Sequence, residues 1–166
     1  MDQDSDLIYT ERISSNKTLA LFAALTAIFL LLAAWRAAVT GLDTLAVVFL
    51  VFSLFFLFYS VNYRTLVVRL TQESLRLVFG IFTWSVPLDN IAECGLDEVP
   101  PLQRYGGAGI HFMFVRGRYR ASFNFLDYPR VVIALKKKTG PVQDISFSTR
   151  QPDDIMRLVR GAIATK

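Results

Sequence analysis

The chain has 166 residues, of which 53% are hydrophobic and only 19% charged, with a mean hydropathy of +0.40 and a formal net charge of +4. An ordinary soluble domain carries about 25% charged residues. The balance therefore points to a membrane protein and excludes a disordered chain, which needs low hydrophobicity and high charge; the lone cysteine, Cys94, excludes a disulfide-stapled miniprotein.

Residues 1–17 carry Asp2, Asp4, Asp6 and Glu11 against Arg12 and Lys17. With no basic n-region, the apolar run that follows reads as a retained anchor and not a cleaved signal. Thr18–Trp35 and Leu45–Val61 hold no charge. At ~1.5 Å per residue, each run with its flanks reaches about the 30 Å of a bilayer core. Between them, Gly41 suits a helix C-terminus and Asp43 the N-cap of the next helix. The reading is a transmembrane helical hairpin over residues 18–63.

Arg12 and Lys17 precede the hairpin, Arg64 and Arg69 follow it, and the loop holds only Arg36. The excess of basic residues at the outer flanks predicts both termini on the cytoplasmic side of the cell membrane. Trp35 would sit at the outer interface, and Tyr59 and Tyr63 at the inner one. Ala20, Ala27 and Ala34 recur every seven residues, as do Ala46, Ser53 and Ser60. In an antiparallel pair Ala34 meets Ala46, Ala27 meets Ser53 and Ala20 meets Ser60. Small residues let helix backbones approach closely, so a seam of these six is expected. Phenylalanines 49, 52, 55, 56 and 58 are then expected mostly to face lipid or a partner.

After Tyr63 the period changes. Short runs rich in Val, Ile, Phe and Thr cover Thr65–Leu70, Ser74–Phe79, Phe82–Val86, Ile91–Asp97, Gly109–Val115, Arg118–Phe125, Arg130–Lys136 and Val142–Ser148. Alternation within them marks strands. Arg116-Gly117 can close a tight hairpin, Lys138-Thr-Gly140 a second turn, and Gly80 a third. From Pro152, Asp153 and Asp154 suit a helix start and Arg157 and Arg160 lie toward its end. Ile155, Leu158, Val159 and Ile163 form its apolar stripe. The fold class is α+β: a cytoplasmic N-terminal segment (1–17), a helical hairpin (18–63), and an antiparallel β sandwich or barrel (64–166) capped by one C-terminal α-helix.

Leu75-Arg-Leu-Val-Phe-Gly80, Val86-Pro-Leu-Asp-Asn-Ile91, Arg104-Tyr-Gly-Gly-Ala-Gly-Ile110, Pro129-Arg-Val-Val-Ile-Ala-Leu-Lys136 and Ser148-Thr-Arg-Gln-Pro152 follow one another through residues 64–163. In this order, after a two-helix hairpin, they resemble the prokaryotic pleckstrin-homology-like (PH-like) domains. The resemblance implies seven strands in two nearly orthogonal sheets with a C-terminal helix. It implies no single activity, because the shape serves many binding roles.

The segment Tyr105-Gly-Gly-Ala-Gly109 precedes a strand and not a helix, and no Lys-Ser/Thr follows it, so it is no Walker loop. It lies in a long connection that begins near Asp97 and contains Pro100 and Pro101. Long loops often carry binding surface, and Arg104, Tyr105, Gly106 and Gly107 are candidate partner contacts. His111 is the only histidine. It reads as structural, Cys94 as a packed core residue, and the adjacent acids Asp97 and Glu98 as solvated. No catalytic or metal constellation and no cofactor is expected, and the chain reads as not an enzyme.

Residues 64–166 hold 15 Lys and Arg against 9 Asp and Glu, a net charge of +6. Arg116, Arg118 and Arg120 form one basic cluster and Lys136, Lys137 and Lys138 another. They read either as contacts for anionic lipid or an acidic partner, or as solvated hairpin rims. The turn Leu70-Thr-Gln-Glu73-Ser lacks the Lys and Arg with which eukaryotic domains of this shape grip a phosphoinositide. The basic residues lack an aromatic stacking platform, so nucleic acid is not an expected partner. The expected role is a membrane-anchored binding or scaffolding module, an accessory or adaptor subunit docking a protein partner or larger complex at the cytoplasmic face. The alternative is peripheral sensing of anionic lipid by the basic clusters.

Overall fold

The computed structural model describes residues 6–99 and 109–164. It is α+β: two long apolar helices lie near the N-terminus, followed by two β-sheets and a C-terminal helix. Helix α1 runs Asn16–Thr40 and helix α2 Thr44–Asn62. Both are long and apolar enough to cross a membrane, and most of their surface is exposed. The Ser15 hydroxyl caps α1 by accepting from the Thr18 amide at 3.0 Å, and the Asp43 carboxylate caps α2 by accepting from the Ala46 amide at 2.9 Å. Gly41 has the positive φ (78°) that the sharp reversal after α1 requires. Arg36 reaches across the loop to Asp43 with its Nη2 at 2.7 Å and Nε at 2.9 Å, so the two charges of the connection neutralise each other.

The helices pack through a face that differs from the expected seam. Ala46 and Ser53 of α2 are buried and Ser60 is half-buried, but Ala20, Ala27 and Ala34 of α1 are exposed. The covered positions of α1 are Thr18, Phe22 and Ala33. The Ser53 hydroxyl donates to the Thr26 carbonyl at 3.1 Å. Phe29 lies 5.5 Å from the Phe56 ring and 6.2 Å from the Phe49 ring. Phe49 and Phe56 are thus half-buried between the helices, while Phe52, Phe55 and Phe58 stay exposed. A seven-residue spacing fixes a stripe but not which stripe faces inward; here the α1 aromatics fill the interface.

Residues 7–14, expected to lie outside the domain, form a strand. Strand β1 (Leu7–Ser14) pairs antiparallel with β2 (Thr65–Thr71), from Ser14 opposite Thr65 to Leu7 opposite Thr71. The first sheet continues through β3 (Ser74–Phe79) and β4 (Phe82–Pro87), in the order β1-β2-β3-β4. Strands β5 (Ile91–Leu96), β6 (Gly109–Val115), β7 (Arg118–Asn124), β8 (Arg130–Thr139) and β9 (Val142–Ser148) form the second, in the order β5-β8-β9-β7-β6. The described residues therefore hold nine strands, and the second sheet is not wholly antiparallel, because β9 returns between β8 and β7 and runs parallel to β7. The inner faces share one core, in which Leu66, Val68, Leu75, Leu77 and Phe79 join Phe123, Val131, Ile133, Ile145 and Phe147. Helix α3 (Pro152–Ala164) adds Ile155, Met156 and Val159.

The helical hairpin is thus an insertion between two neighbouring strands. One residue, Ser15, separates β1 from α1, and two, Tyr63 and Arg64, separate α2 from β2. The turn after β7 adds a third attachment. Asp127 accepts from the Ser15 hydroxyl at 2.8 Å and pairs with Lys17 at 3.1 Å, and the Tyr128 hydroxyl donates to the Ser14 carbonyl at 3.0 Å. These contacts, the Ser15 hydrogen bond first, hold the Asp127 carboxyl below the usual carboxylate range. At the other helix end, Gly80 (φ 61°) packs on the Asn62 backbone, and a Cβ there would overlap the Asn62 carbonyl.

Gly80→Ala is therefore expected to lower stability by about 2 kcal/mol or more, from positive-φ strain and the clash. Gly95→Ala, whose Cβ would meet nothing within 4 Å, is expected to stay within about 0.5 kcal/mol. Thermal unfolding of both variants in detergent checks this; equal effects would contradict the close approach of β3–β4 to α2.

Candidate functional site

Alternation on β7 places Tyr119, Ala121 and Phe123 toward the core and Arg118, Arg120, Ser122 and Asn124 on the opposite face. On β9 the same face carries Asp144, Ser146 and Ser148, and on β8 it carries Arg130. This second face would be solvated in a simple two-sheet domain, yet Arg120, Ser122, Asn124, Arg130, Asp144, Ser146 and Ser148 are all buried. It holds a chain of ion pairs. Asp97, just beyond β5, pairs with Arg120 Nη1 at 2.9 Å and Arg130 Nη2 at 3.1 Å, and accepts from the Ser146 hydroxyl at 3.3 Å. Asp144 takes Arg118 Nη2 at 2.7 Å and lies 3.6 Å from Arg120 Nη2. Three guanidinium groups thus share two carboxylates.

A groove of about 380 Å³ runs along the outer end of this layer, lined by Glu93, Arg116, Arg118, Arg120 and Asp144 among others. His111 of β6 sits at the layer's other end, with Nε2 3.4 Å from the Asn124 amide nitrogen. Burial, and then the Arg130 charge, pushes the His111 pKa below its ordinary value.

A second cleft, of about 220 Å³, lies where the helices meet the sheets. Tyr59 and Tyr63, Phe82 and Trp84 of β4, Ile110 and Phe112 of β6, and Phe123 line it. The Tyr63 ring stacks on Phe82 with centroids 6.1 Å apart. Phe112 and Phe114 continue the apolar surface along β6, 50% and 74% exposed.

The sequence-predicted residues fall into three groups. Arg116 is exposed at the β6–β7 turn, where its φ of 51° and the 78° of Gly117 make the expected tight hairpin. Lys136, Lys137 and Lys138 are exposed at the far end of β8. Arg118 is half-buried on Asp144, and Arg120 is 8% exposed inside the ionic layer, where its guanidinium pairs with Asp97 and Asp144. Asp97, expected to be solvated, is the buried hub of that layer, because its carboxylate pairs with both Arg120 and Arg130. Arg104, Tyr105, Gly106 and Gly107 lie outside the described residues. Cys94 is buried in the core, and burial raises its thiol pKa to about 11. The alternation in the sequence sets Arg118, Arg120, Ser122 and Asn124 on one side of their strand; what it does not show is that Asp144, Ser146 and Ser148 share that face, because the β7–β9 pairing leaves no local signal. Comparison of the chain with models of known protein families and with curated proteins finds no match.

Two measurements check the layer. Asp97→Asn leaves Arg120 and Arg130 without their shared counter-ion and is expected to cost about 3–5 kcal/mol. Asp154→Asn, which breaks the exposed pair with Arg157, is expected to cost less than about 1 kcal/mol. Equal losses in thermal unfolding would contradict the hub. For His111 the folded state resists protonation more than the unfolded state, whose pKa lies at about 6.5. Above that value both states are neutral and the group contributes nothing; as pH falls below it the unfolded state gains the proton first and stability drops. The fall in melting temperature between about pH 7.5 and 5.5 is expected to be shallower in His111→Gln than in the parent chain; identical slopes would contradict the depressed pKa.

Proposed function

We propose that the chain is a membrane-anchored, PH-like binding module. In this reading α1 and α2 cross the cell membrane as a hairpin, both termini are cytoplasmic, and the β domain docks a protein partner there as an accessory or adaptor subunit. Two helices with mostly exposed surfaces, whose runs Thr18–Trp35 and Leu45–Val61 hold no charge, support the membrane part. The basic flanks support the orientation; two sheets with a C-terminal helix agree in outline with the PH-like reading, while nine strands and the parallel β7–β9 pair depart from the seven strands it implies.

One observation favours a protein partner over lipid sensing. Asn124 leads into the turn that touches α1, and Arg130 follows that turn. Arg118 is six residues from Asn124 along β7, and Lys136 six from Arg130 along β8, each about 20 Å away at ~3.3 Å per residue. Arg116 and Lys138 lie farther still. Attraction to anionic headgroups fades over a screening length of about 8 Å in physiological salt. Basic groups held at the end of the sheet opposite the helix junction suit an acidic protein surface better than the bilayer that anchors them.

Two outcomes are expected. A cysteine at Leu42, exposed in the helix loop, should react with an impermeant maleimide in intact cells, and one at Lys137 only after permeabilisation; the reverse pattern would overturn the orientation. In nanodiscs, adding anionic to neutral lipid should leave amide exchange in the β6–β7 and β8–β9 turns unchanged; slowing there would favour lipid sensing.

A further inference from the structure

Among the described residues, the four outer strands of the two sheets have edges that are not alike. At the β5 edge, Arg160 of α3 donates to the Cys94 carbonyl from Nε at 3.0 Å and Nη2 at 2.8 Å. Strand β1 carries Glu11 and Arg12, and its Glu11 carboxylate accepts from the Arg150 amide at 2.8 Å and the Thr149 hydroxyl at 2.6 Å. Strand β4 ends in Pro87, which has no amide hydrogen to offer. Charge, proline and a covering helix are the usual ways of blocking an edge. Strand β6, Gly-Ile-His-Phe-Met-Phe-Val, is seven residues long with no Lys, Arg, Asp, Glu or Pro, and among the described residues it pairs only with β7. Its Phe112 and Phe114 stand exposed against Tyr119, with centroids 6.0 and 4.9 Å away, and Phe112 continues into the apolar cleft beside Trp84.

We propose that the outer edge of β6 docks an extended, acidic segment of a partner protein by strand addition. This rests on the protein-docking reading above and names the site and chemistry. The added strand would bond to the β6 backbone. Its alternate residues, apolar ones, would cover Phe112 and Phe114 and enter the cleft toward Trp84. An acidic residue would meet Arg116, which ends the strand exposed. Charge complementarity selects this occupant over a second copy of the chain, because a second copy brings another domain of net charge +6 with its own Arg116.

The test uses the full chain in detergent micelles and a blocked, fluorescent peptide in which valine alternates with serine, flanked by aspartates. Binding is read by anisotropy and by amide exchange. The peptide should bind and slow exchange in β6. Replacing its aspartates by lysines should weaken binding by about tenfold or more, and Phe114→Asp, at a position whose exposure protects the fold, should abolish it. Arg116→Asn, which keeps a residue tolerant of positive φ, should erase the preference for the acidic peptide. Absent binding, equal binding to Phe114→Asp, or β6 amides already as protected as the core before peptide is added would each overturn the proposal. The last result would mean that a second copy or another part of the chain fills the edge. None of these outcomes touches the labelling pattern at residues 42 and 137, so failure of the edge and failure of the membrane reading are separable.

Discussion

The β1–β2 ladder governs the rest of the structure. It joins the segment entering the helical hairpin to the segment leaving it, so the hairpin is closed at its base by backbone pairing from Ser14–Thr65 outward. Helices joined to a domain by a flexible chain would leave it free to tumble. Here one residue on one side and two on the other leave no such freedom. The Asp127–Ser15–Lys17 contacts and the seating of Gly80 on Asn62 fix the same junction from the second sheet and from the β3–β4 turn. The orientation of the β domain is thus set by the orientation of the helices, and which surfaces lie near the junction and which lie far from it becomes a structural property.

The second sheet is unusual in burying both faces. One is apolar and joins the common core; the other is a layer of three arginines and two aspartates with serines and Asn124 among them. Such a layer adds little net stability compared with apolar packing, since desolvation offsets much of the Coulomb attraction. It does penalise any register that separates the charges. A one-residue slip of β9 against β7 would turn Asp144 to the apolar side and take it away from Arg118 and Arg120. The parallel β7–β9 pair brings two chain segments together without a connecting turn, so the charge layer supplies register information that a hairpin would otherwise give.

Much of the fold was legible because period and punctuation agree. All eight runs after Tyr63 became strands, with ends shifted by at most a few residues, and Pro152 begins the last helix. Arg116-Gly117 needed only local turn chemistry. Strand β1 escaped because its neighbours are acidic and only Ile13 of its eight residues is buried; pairing with β2 across the inserted hairpin, not burial, makes it a strand. The α1 side of the helix interface escaped because small residues recur on more than one face of an alanine-rich helix, and ring packing of Phe22 and Phe29 decides between them. The ionic layer escaped for a third reason. Arg118 and Arg120 are close in sequence and resemble a solvated cluster; their partners Asp97 and Asp144 are 23 and 26 residues away along the chain, and adjacency created by strand order leaves no local trace.

The clamp at the hairpin base is tested most directly by a distance distribution between spin labels at Leu42, in the helix loop, and Lys137, at the far end of the second sheet, with the chain in nanodiscs and Cys94 replaced by alanine. A domain fixed by the β1–β2 ladder gives a single narrow peak. A broad distribution, reporting a domain that swings on its anchor, would contradict it.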